Sequence, residues 1–562
     1  MCGVVGFSFK EKQNISSLVK ALRHIEYRGY DSAGIAWVKE NIENYKDASC
    51  DATKIILDYS QKEKITANSM IGHTRWATHG KVNMENAHPH IASNKNFALV
   101  HNGEIHNFIE IRNSLNINYD NDTRVAVKLL SDKLKTTSRE NILSTFIATC
   151  KKFKGNNNFI FLEKKNTIIS LRQSDQPLYV GKDNVGTYVV SDQLAFPVAV
   201  KDIAEIPKNT CVMIYMGKIL KTSNALLWRK RIEAEHPPAY KKEGKATEEE
   251  IKEIGFSLQR LYSGNQAVSI RQAQTKISEA KRVILFGCGT SYYAAQLVSS
   301  YLKNEYKIWC EVCDASATLP EKQKGDVYIA FSQSGTTADI LKHIDKIKNK
   351  FPLIVITNRV YSPLGTLGDI TLDICAGPEI AVAATKSFVG MIAIGALLAN
   401  KKNIANVKLI QEKIKNTFKD KKIITQAKNI AKNKKCIILG EDNNYYLGLE
   451  ASLKLKEIGY TWAICERIGG LKHGPLALIE EGTPVICIYS RTNNKEKVHS
   501  ALSQVKARGG KEIMIQTNNE QNEITENVLL IINIYVLALR VAYIQKINPD
   551  RPRNLAKSVT VE

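Results

Sequence analysis

Across residues 1–235 apolar positions come in short runs, such as Phe97 to Val100, Phe159 to Leu162 and Leu178 to Val180, divided by Gly, Asn and Asp. Runs of that length between turn formers predict strands, whereas the spacing near Ile15 to Leu22 and Thr123 to Leu134 predicts helices. Residues 1–235 therefore read as one α+β domain. From Arg231 to Glu250 the apolar pattern gives way to charge, with Pro237-Pro238 and Gly244. That composition predicts a linker, set at 236–265.

Beyond the linker the pattern repeats. Val283-Ile-Leu-Phe-Gly287, followed by Tyr292-Tyr293, returns 153 residues later as Cys436-Ile-Ile-Leu-Gly440, followed by Tyr445-Tyr446. Apolar runs at Asp326 to Ser332 and Thr483 to Ser490 agree at Val327/Val485 and Ser332/Ser490, and Thr357-Asn358 returns as Thr517-Asn518. Two copies of one α/β unit, 266–405 and 406–548, followed by a tail at 549–562, account for this. Strand runs alternating with longer helical patterns predict parallel sheets with helices on both faces, and such sheets take ligands beyond the carboxyl ends of their strands. The chemistry is therefore expected at Gly287 to Ser291 and Ser332 to Thr337.

The chain has 562 residues, 44% hydrophobic and 24% charged, which suits several cores and excludes a disordered or collagenous protein. Its charge, 79 − 56 = +23, fits nucleic acid, an anionic membrane or phosphorylated small molecules. The densest basic stretch, Lys401 to Lys435, has twelve lysines and only Phe418 as an aromatic, so it reads as a solvated helix surface, and no nucleic-acid partner is expected. Eleven scattered cysteines oppose a fully paired disulfide framework and point to a reducing, cytoplasmic setting. Cys310-Glu-Val-Cys313 stands alone in an apparent strand and reads as packing; neither a metal nor an organic cofactor is expected. The N-terminus lacks the basic region and apolar core of a signal peptide. The apolar run Val528 to Ile544, broken by Asn533 and Arg540, reads as a buried helix, so no membrane association is expected.

Removal of Met1 would leave Cys2 with a thiol and a free α-amine, and an amine of ordinary pKa about 7.7 to 8 can serve as the base for its own side chain. Its company is His73-Thr-Arg-Trp-Ala-Thr-His-Gly80, His101-Asn-Gly103 and Asp120-Asn-Asp122-Thr123, with Tyr27-Arg-Gly-Tyr-Asp-Ser-Ala-Gly34 upstream. In that order these segments resemble the class II glutamine amidotransferase domain, which implies an N-terminal-nucleophile (Ntn) hydrolase fold. A glutamine amidase needs a cation for the α-carboxylate, an anion for the α-ammonium and donors for the tetrahedral oxyanion. The resemblance implies Arg75 as the carboxylate clamp, Asp122 as the ammonium partner, and Asn102 with the Gly103 amide as the oxyanion hole. It adds Trp76, Thr78 and His79 to the glutamine site, with Trp76 where the family has a gate between the ammonia-producing and ammonia-using sites.

In the doubled half, Cys288-Gly289-Thr290-Ser291 and Ser332-Gln333-Ser334-Gly-Thr-Thr337 offer hydroxyls and close backbone amides that can cradle a phosphate without a Walker lysine. They resemble the sugar isomerase (SIS) domain. The fold expected is thus an α+β Ntn-hydrolase-type amidotransferase domain followed by two α/β SIS domains with parallel sheets flanked by helices. In the second copy Glu441-Asp-Asn-Asn444 and Arg491-Thr-Asn-Asn494 replace the hydroxyls, so its phosphate site is expected to be degenerate. That copy instead holds Glu450, Lys454 and Glu457 on one helix face, followed by Leu471-Lys-His473-Gly. With the tail Arg551 to Glu562, these segments resemble the amidotransferase family that joins glutamine hydrolysis to amination of a ketose phosphate.

This resemblance implies glutamine and fructose 6-phosphate as substrates and a homodimer as the assembly. It implies Lys557 as the Schiff-base lysine, Glu457 as the proton-shuttling base, His473 as the ring-opening residue and Lys454 as support for developing charge. Val382 and Ala556 join the sugar-phosphate set. A lysine, a carboxylate and a histidine are what imine formation, proton movement between C1 and C2 and ring opening require. Leu555, Ala556, Val559 and Val561 give the tail apolar surface with which to dock, against the usual disorder of a terminus. Departures are Thr336 where the family has an acid, Ala384 where it has a hydroxyl and Gly470 where it has Glu. The family's helical His-x-Met-x-Lys-Glu-Ile-x-Glu-Gln-Pro segment has no clear counterpart among Ala246 to Tyr262.

Overall fold

The computed structural model describes residues 2–49, 51–77, 79–174, 176–231, 244–400, 402–490, 495–517 and 522–557. The chain divides into two compact units at Pro237/Pro238.

In the first unit two antiparallel sheets lie face to face between helices. The eight-stranded sheet has Gly3–Asn14 near its centre, flanked by Gly186–Val190 and Thr66–Arg75. The six-stranded sheet includes Phe97–Gly103, Asn157–Glu163 and Thr167–Arg172. Val4 joins Ile71, Val100, Ile160 and Ile214 in the core between the sheets, while Val5, Phe7 and Phe9 point the other way, against helices Ser16–His24 and Ala52–Glu63. Phe159 and Phe161 likewise pack on Asp122–Leu134 and Ile142–Cys150. Because both faces of each sheet are covered, the strands read as continuous apolar runs rather than alternating ones. Asn121 caps the Asp122–Leu134 helix, its side chain accepting the Arg124 N–H at 3.0 Å.

The second unit holds two parallel sheets. One has the order Trp309–Asp314, Arg282–Gly287, Asp326–Ser332, Leu353–Thr357, Ile370–Asp373, and the other Trp462–Arg467, Lys435–Gly440, Pro484–Tyr489, Lys511–Gln516. The first four strands follow the same order in both, which is the repeat seen in the sequence. Two apolar helices, Lys386–Ala399 and Glu523–Ile544, lie in one core shared by the two sheets. Glu523–Ile544 has the length and apolarity to cross a membrane, but 78% of its apolar window is buried inside the unit. The lysine-rich stretch forms helices Val407–Lys419 and Lys421–Asn433, which bury Ile410, Ile414, Ile423, Ala427 and Ile430 and turn most of their described lysines outward. Cys310 and Cys313 belong to separate cores on either face of their strand, so they do not form a paired site.

The stretch read as linker, 236–265, differs from that expectation in its second half. Helices Ala246–Lys252 and Ile254–Ser263 occupy it, and Ile251, Ile254, Leu258 and Leu261 enter the core of the second unit. Glu250-Ile251-Lys252-Glu253 also fits the Glu-Ile-x-Glu portion of the helical segment that seemed to lack a counterpart. The charge that suggested a linker lies mainly on the outer face, where Lys245 and Lys252 both pair with Glu248.

Candidate active sites

In the first unit Cys2 immediately precedes the Gly3–Asn14 strand, and Gly3 pairs with Thr74, so Arg75 ends the adjacent strand at the same edge. Asn102 and Gly103 end a strand of the other sheet, and the Cys2 N–H donates to Asn102 Oδ1 at 3.3 Å, joining the two edges. Asn102 Nδ2 in turn donates to Gln176 Oε1 at 2.8 Å, which fixes the amide plane and leaves its second hydrogen for an acceptor. Gly103 has φ +148°, and a Cβ there would lie 1.9 Å from the Asn156 carbonyl oxygen, so only glycine fits.

Arg75 is held by the carbonyls of His79, Gly80 and Lys81. Asp122 is buried and accepts the Ile105 N–H at 3.1 Å and the Thr123 N–H at 2.7 Å. Burial pushes the Cys2 thiol up; Arg75 pulls it down and Asp122 adds to the rise, so all three lie within electrostatic reach. Trp76 meets Tyr30 edge to face at 6.5 Å, and its carbonyl accepts from Cys2 Sγ at 3.6 Å. His79 pairs with Glu104 at 2.8 Å. Thr78 lies outside the described residues.

In the second unit the two hydroxyl loops follow adjacent paired strands, with Phe286 in register with Ala330. Gly289 takes φ 55°, ψ −126° at the start of helix Thr290–Tyr306, and the Ser291 N–H returns to the Cys288 carbonyl at 3.1 Å. Burial, then Asp314, pushes the Cys288 thiol up to about 12. In the second loop Ser332 Oγ accepts the Gly335 N–H at 3.0 Å and lies 3.3 Å from Thr337 Oγ1, while Gln333 and Ser334 are half-buried. Thr336, where the family has an acid, bonds Ser334 Oγ at 3.0 Å and so closes the loop on itself. In the second repeat Asp442 takes φ 50°, ψ −127°, matching Gly289, yet Glu441 beside it pairs with Lys497 at 2.9 Å. The loop shape survives there while the anion-binding groups do not. Arg491 to Asn494 lie outside the described residues.

The repeats meet at Lys454. Its ammonium, 1% exposed, donates to Thr290 Oγ1 of the first repeat at 3.1 Å and to Glu457 Oε2 at 2.5 Å, and lies 3.5 Å from Glu450 Oε1. Burial would lower the Lys454 ammonium, but Glu450 and Glu457 outweigh it and hold it up. Burial pushes the Glu450 carboxyl up to about 7. The Lys557 side chain is 3% exposed and pairs with Glu379 Oε2 at 2.7 Å. Burial opposes the Glu379 charge, but Lys557, the Thr385 N–H and the Ser387 hydroxyl outweigh it and bring the carboxyl down to about 2. Glu379 also acts on Lys454, so the two lysines share one electrostatic neighbourhood. Val382, nearly buried, donates its N–H to the Asp550 carbonyl at 3.1 Å, and Ala556 is half-buried next to Lys557.

Comparison with known proteins accords with this arrangement. A glutamine amidotransferase domain model matches residues 73–197, and a SIS domain model matches 276–401 and 429–538. The glutamine–fructose-6-phosphate aminotransferase (isomerizing) of Buchnera aphidicola subsp. Baizongia pistaciae is 32% identical over 620 aligned residues, covering all of both chains. The chain belongs to that family. The Aquifex aeolicus protein of the same name is 31% identical over 608 residues, again covering all of both chains. Among solved structures, the C-terminal domain of glucosamine-fructose-6-phosphate aminotransferase from Francisella tularensis is similar at a TM-score of 0.50 and 26% identity, over 56% of this chain and 99% of that one.

His473 stands apart from the other expected residues. It is exposed at the end of the short Ile468–His473 helix, and no hydrogen bond or ion pair among the described residues ties it to Lys454 or Glu457. At Gly470 an added Cβ would meet nothing nearer than Glu466 Oε2 at 3.7 Å, so a Cβ is accommodated there. Sequence reasoning missed Glu379 and Gln176. The signal for Glu379 was its place just before Val382 and Lys386; for Gln176 no pattern pointed to Asn102.

Proposed function

We propose that the protein converts glutamine and fructose 6-phosphate to glutamate and glucosamine 6-phosphate. The observation that carries the reading is Lys454, which joins Thr290 of the first repeat's phosphate loop to Glu457 of the second repeat. A sugar phosphate seated in the loops would face a carboxylate and a lysine suited to moving a proton.

In the first unit the α-amine freed by loss of Met1 takes the Cys2 proton. A thiol that burial pushes up needs such a base. The thiolate attacks the glutamine amide carbon while Arg75 holds the substrate carboxylate and Asp122 its ammonium, and Trp76, Thr78 and His79 contribute to glutamine binding. Asn102 Nδ2 and the Gly103 N–H receive the oxyanion. Ammonia leaves, and water cleaves the thioester to glutamate and free thiol.

In the second unit Cys288 to Ser291 and Ser332 to Thr337 hold the phosphate, with Val382 and Ala556 lining the sugar. His473 assists ring opening. Lys557, as the neutral amine, adds to the C2 ketone and water leaves to form an imine. Ammonia displaces the lysine, and Glu457 takes a proton from C1 and returns one to C2 while Lys454 offsets the charge. The eleven scattered cysteines support a reducing, cytoplasmic setting, and the family resemblance implies a homodimer. Purified protein given glutamine and fructose 6-phosphate should yield glucosamine 6-phosphate and glutamate in equal amounts. Glutamate release with no amino sugar would overturn the reading.

A further inference from the structure

Glu250 lies on the Ala246–Lys252 helix, fully buried, outside the phosphate loops and the Lys454–Glu457 pair. Its Oε1 accepts the Ile380 N–H at 2.6 Å and the Ala381 N–H at 3.1 Å. Its Oε2 is buried with no hydrogen-bond partner among the described residues. The two amides belong to the turn that carries Glu379, which holds the Lys557 ammonium at 2.7 Å, and Val382, which donates to the Asp550 carbonyl at 3.1 Å. The start of the same helix is fastened to the residue that accepts from Val382. The Asp550 carboxylate accepts the Ala246 N–H at 2.9 Å, the Thr247 N–H at 2.7 Å and the Thr247 hydroxyl at 2.8 Å. Helix, turn and tail thus form a closed triangle, and Glu250 supplies its helix-to-turn side.

Resting on the reading of Lys557 as the Schiff-base lysine, we propose that Glu250 is a positioning residue for that lysine, setting the Glu379 carboxylate against it through the Ile380 and Ala381 amides. An apolar side chain could fill the same space but would leave two buried N–H groups unpaired. A glutamine would satisfy both.

The charge on Glu250 bears on the same lysine. Glu379 faces Glu250 from the turn, Lys386 from the helix that follows and Lys557 from the tail, while Glu253, between helices Ala246–Lys252 and Ile254–Ser263, is engaged by Lys386. Burial, then repulsion from Glu379, pushes the Glu250 carboxyl up to about 8 against the pull of the two lysines. As a neutral acid it leaves Glu379 as the carboxylate paired with Lys557. Once Glu250 ionises, its repulsion of Glu379 loosens the carboxylate set against Lys557, and imine formation slows.

The test is cyanoborohydride trapping on the full-length chain with fructose 6-phosphate, followed by peptide mass spectrometry from about pH 6.5 to about pH 9.5 in wild type, E250Q and E250A. E250Q should trap Lys557 at the wild-type rate near neutral pH and lose the alkaline slowing. E250A should trap it about 10-fold or more slowly across the range, while glutamine hydrolysis is unchanged. Trapping in E250A as fast as in wild type, or a wild-type alkaline fall in E250Q, overturns the role of Glu250; if E250A does not fold, E250Q decides alone. Trapping on a different lysine in the wild type contradicts the Schiff-base assignment itself, and this inference with it.

Discussion

Cys2, Asn102 and Gly103 show how a site assembles from residues far apart in sequence, because two strand edges from different sheets are joined by the 3.3 Å bond from the Cys2 N–H to Asn102 Oδ1. Cys2→Ala should abolish glutamine hydrolysis while fructose 6-phosphate still binds with unchanged affinity by calorimetry; loss of sugar binding in this variant would contradict the division of labour. Gly103→Ala should also fall to background hydrolysis, since the new Cβ would sit 1.9 Å from the Asn156 oxygen and displace the oxyanion donor. Wild-type hydrolysis in Gly103→Ala would place that donor elsewhere. At this scale the motifs in the sequence pointed to residue types and their order. They could not show Gln176 orienting Asn102 or Glu379 holding Lys557, because each contact joins positions that share no local pattern. His473 marks the opposite limit: its residue type suits proton transfer, yet in this chain it is exposed and unattached to the Lys454–Glu457 pair.

Among the elements, the Ser332–Thr337 loop owes its shape to Gly335, whose φ is +63° and whose Cβ would lie 1.8 Å from Ser362 Oγ. Ser334→Ala and Thr337→Ala should each raise the KM for sugar phosphate roughly 10- to 150-fold, the worth of a hydrogen bond to a charged oxygen, with the glutamine KM unchanged. Equal KM shifts for both substrates would move the phosphate site away from this loop. The paired α/β units were readable in advance because parallel strands covered on both faces leave unmistakable apolar runs. The helix Ala246–Lys252 was not, since seven residues are too few to show a period and its buried Glu250 looks like surface charge. Only the tertiary contacts of that carboxyl distinguish it from Glu248 and Glu249 beside it.

For the whole molecule, the two units should respond to pH in opposite senses. In the first unit burial lowers His73 to about 3 and holds His88 and His90 well below their ordinary value. A histidine depressed on folding stabilises fully above its unfolded value near 6.5 and loses that contribution as pH falls, about 1.4 kcal/mol for each unit below it. In the second unit Glu250 at about 8 and Glu450 at about 7 are raised on folding, so their contribution is full below 4.5 and lost as pH rises through those values. Calorimetry between about pH 7.5 and about pH 5.5 should show the amidotransferase transition moving down as acid is added and the SIS transition moving up. Movement of both in one direction would contradict these burial effects. Isotope transfer tests whether one chain carries nitrogen from glutamine to a ketose phosphate. Glutamine labelled with 15N in its side-chain amide, supplied with fructose 6-phosphate, should give glucosamine 6-phosphate carrying the label, and Cys2→Ala should give none. Labelled ammonia and glutamate without labelled amino sugar would contradict the account.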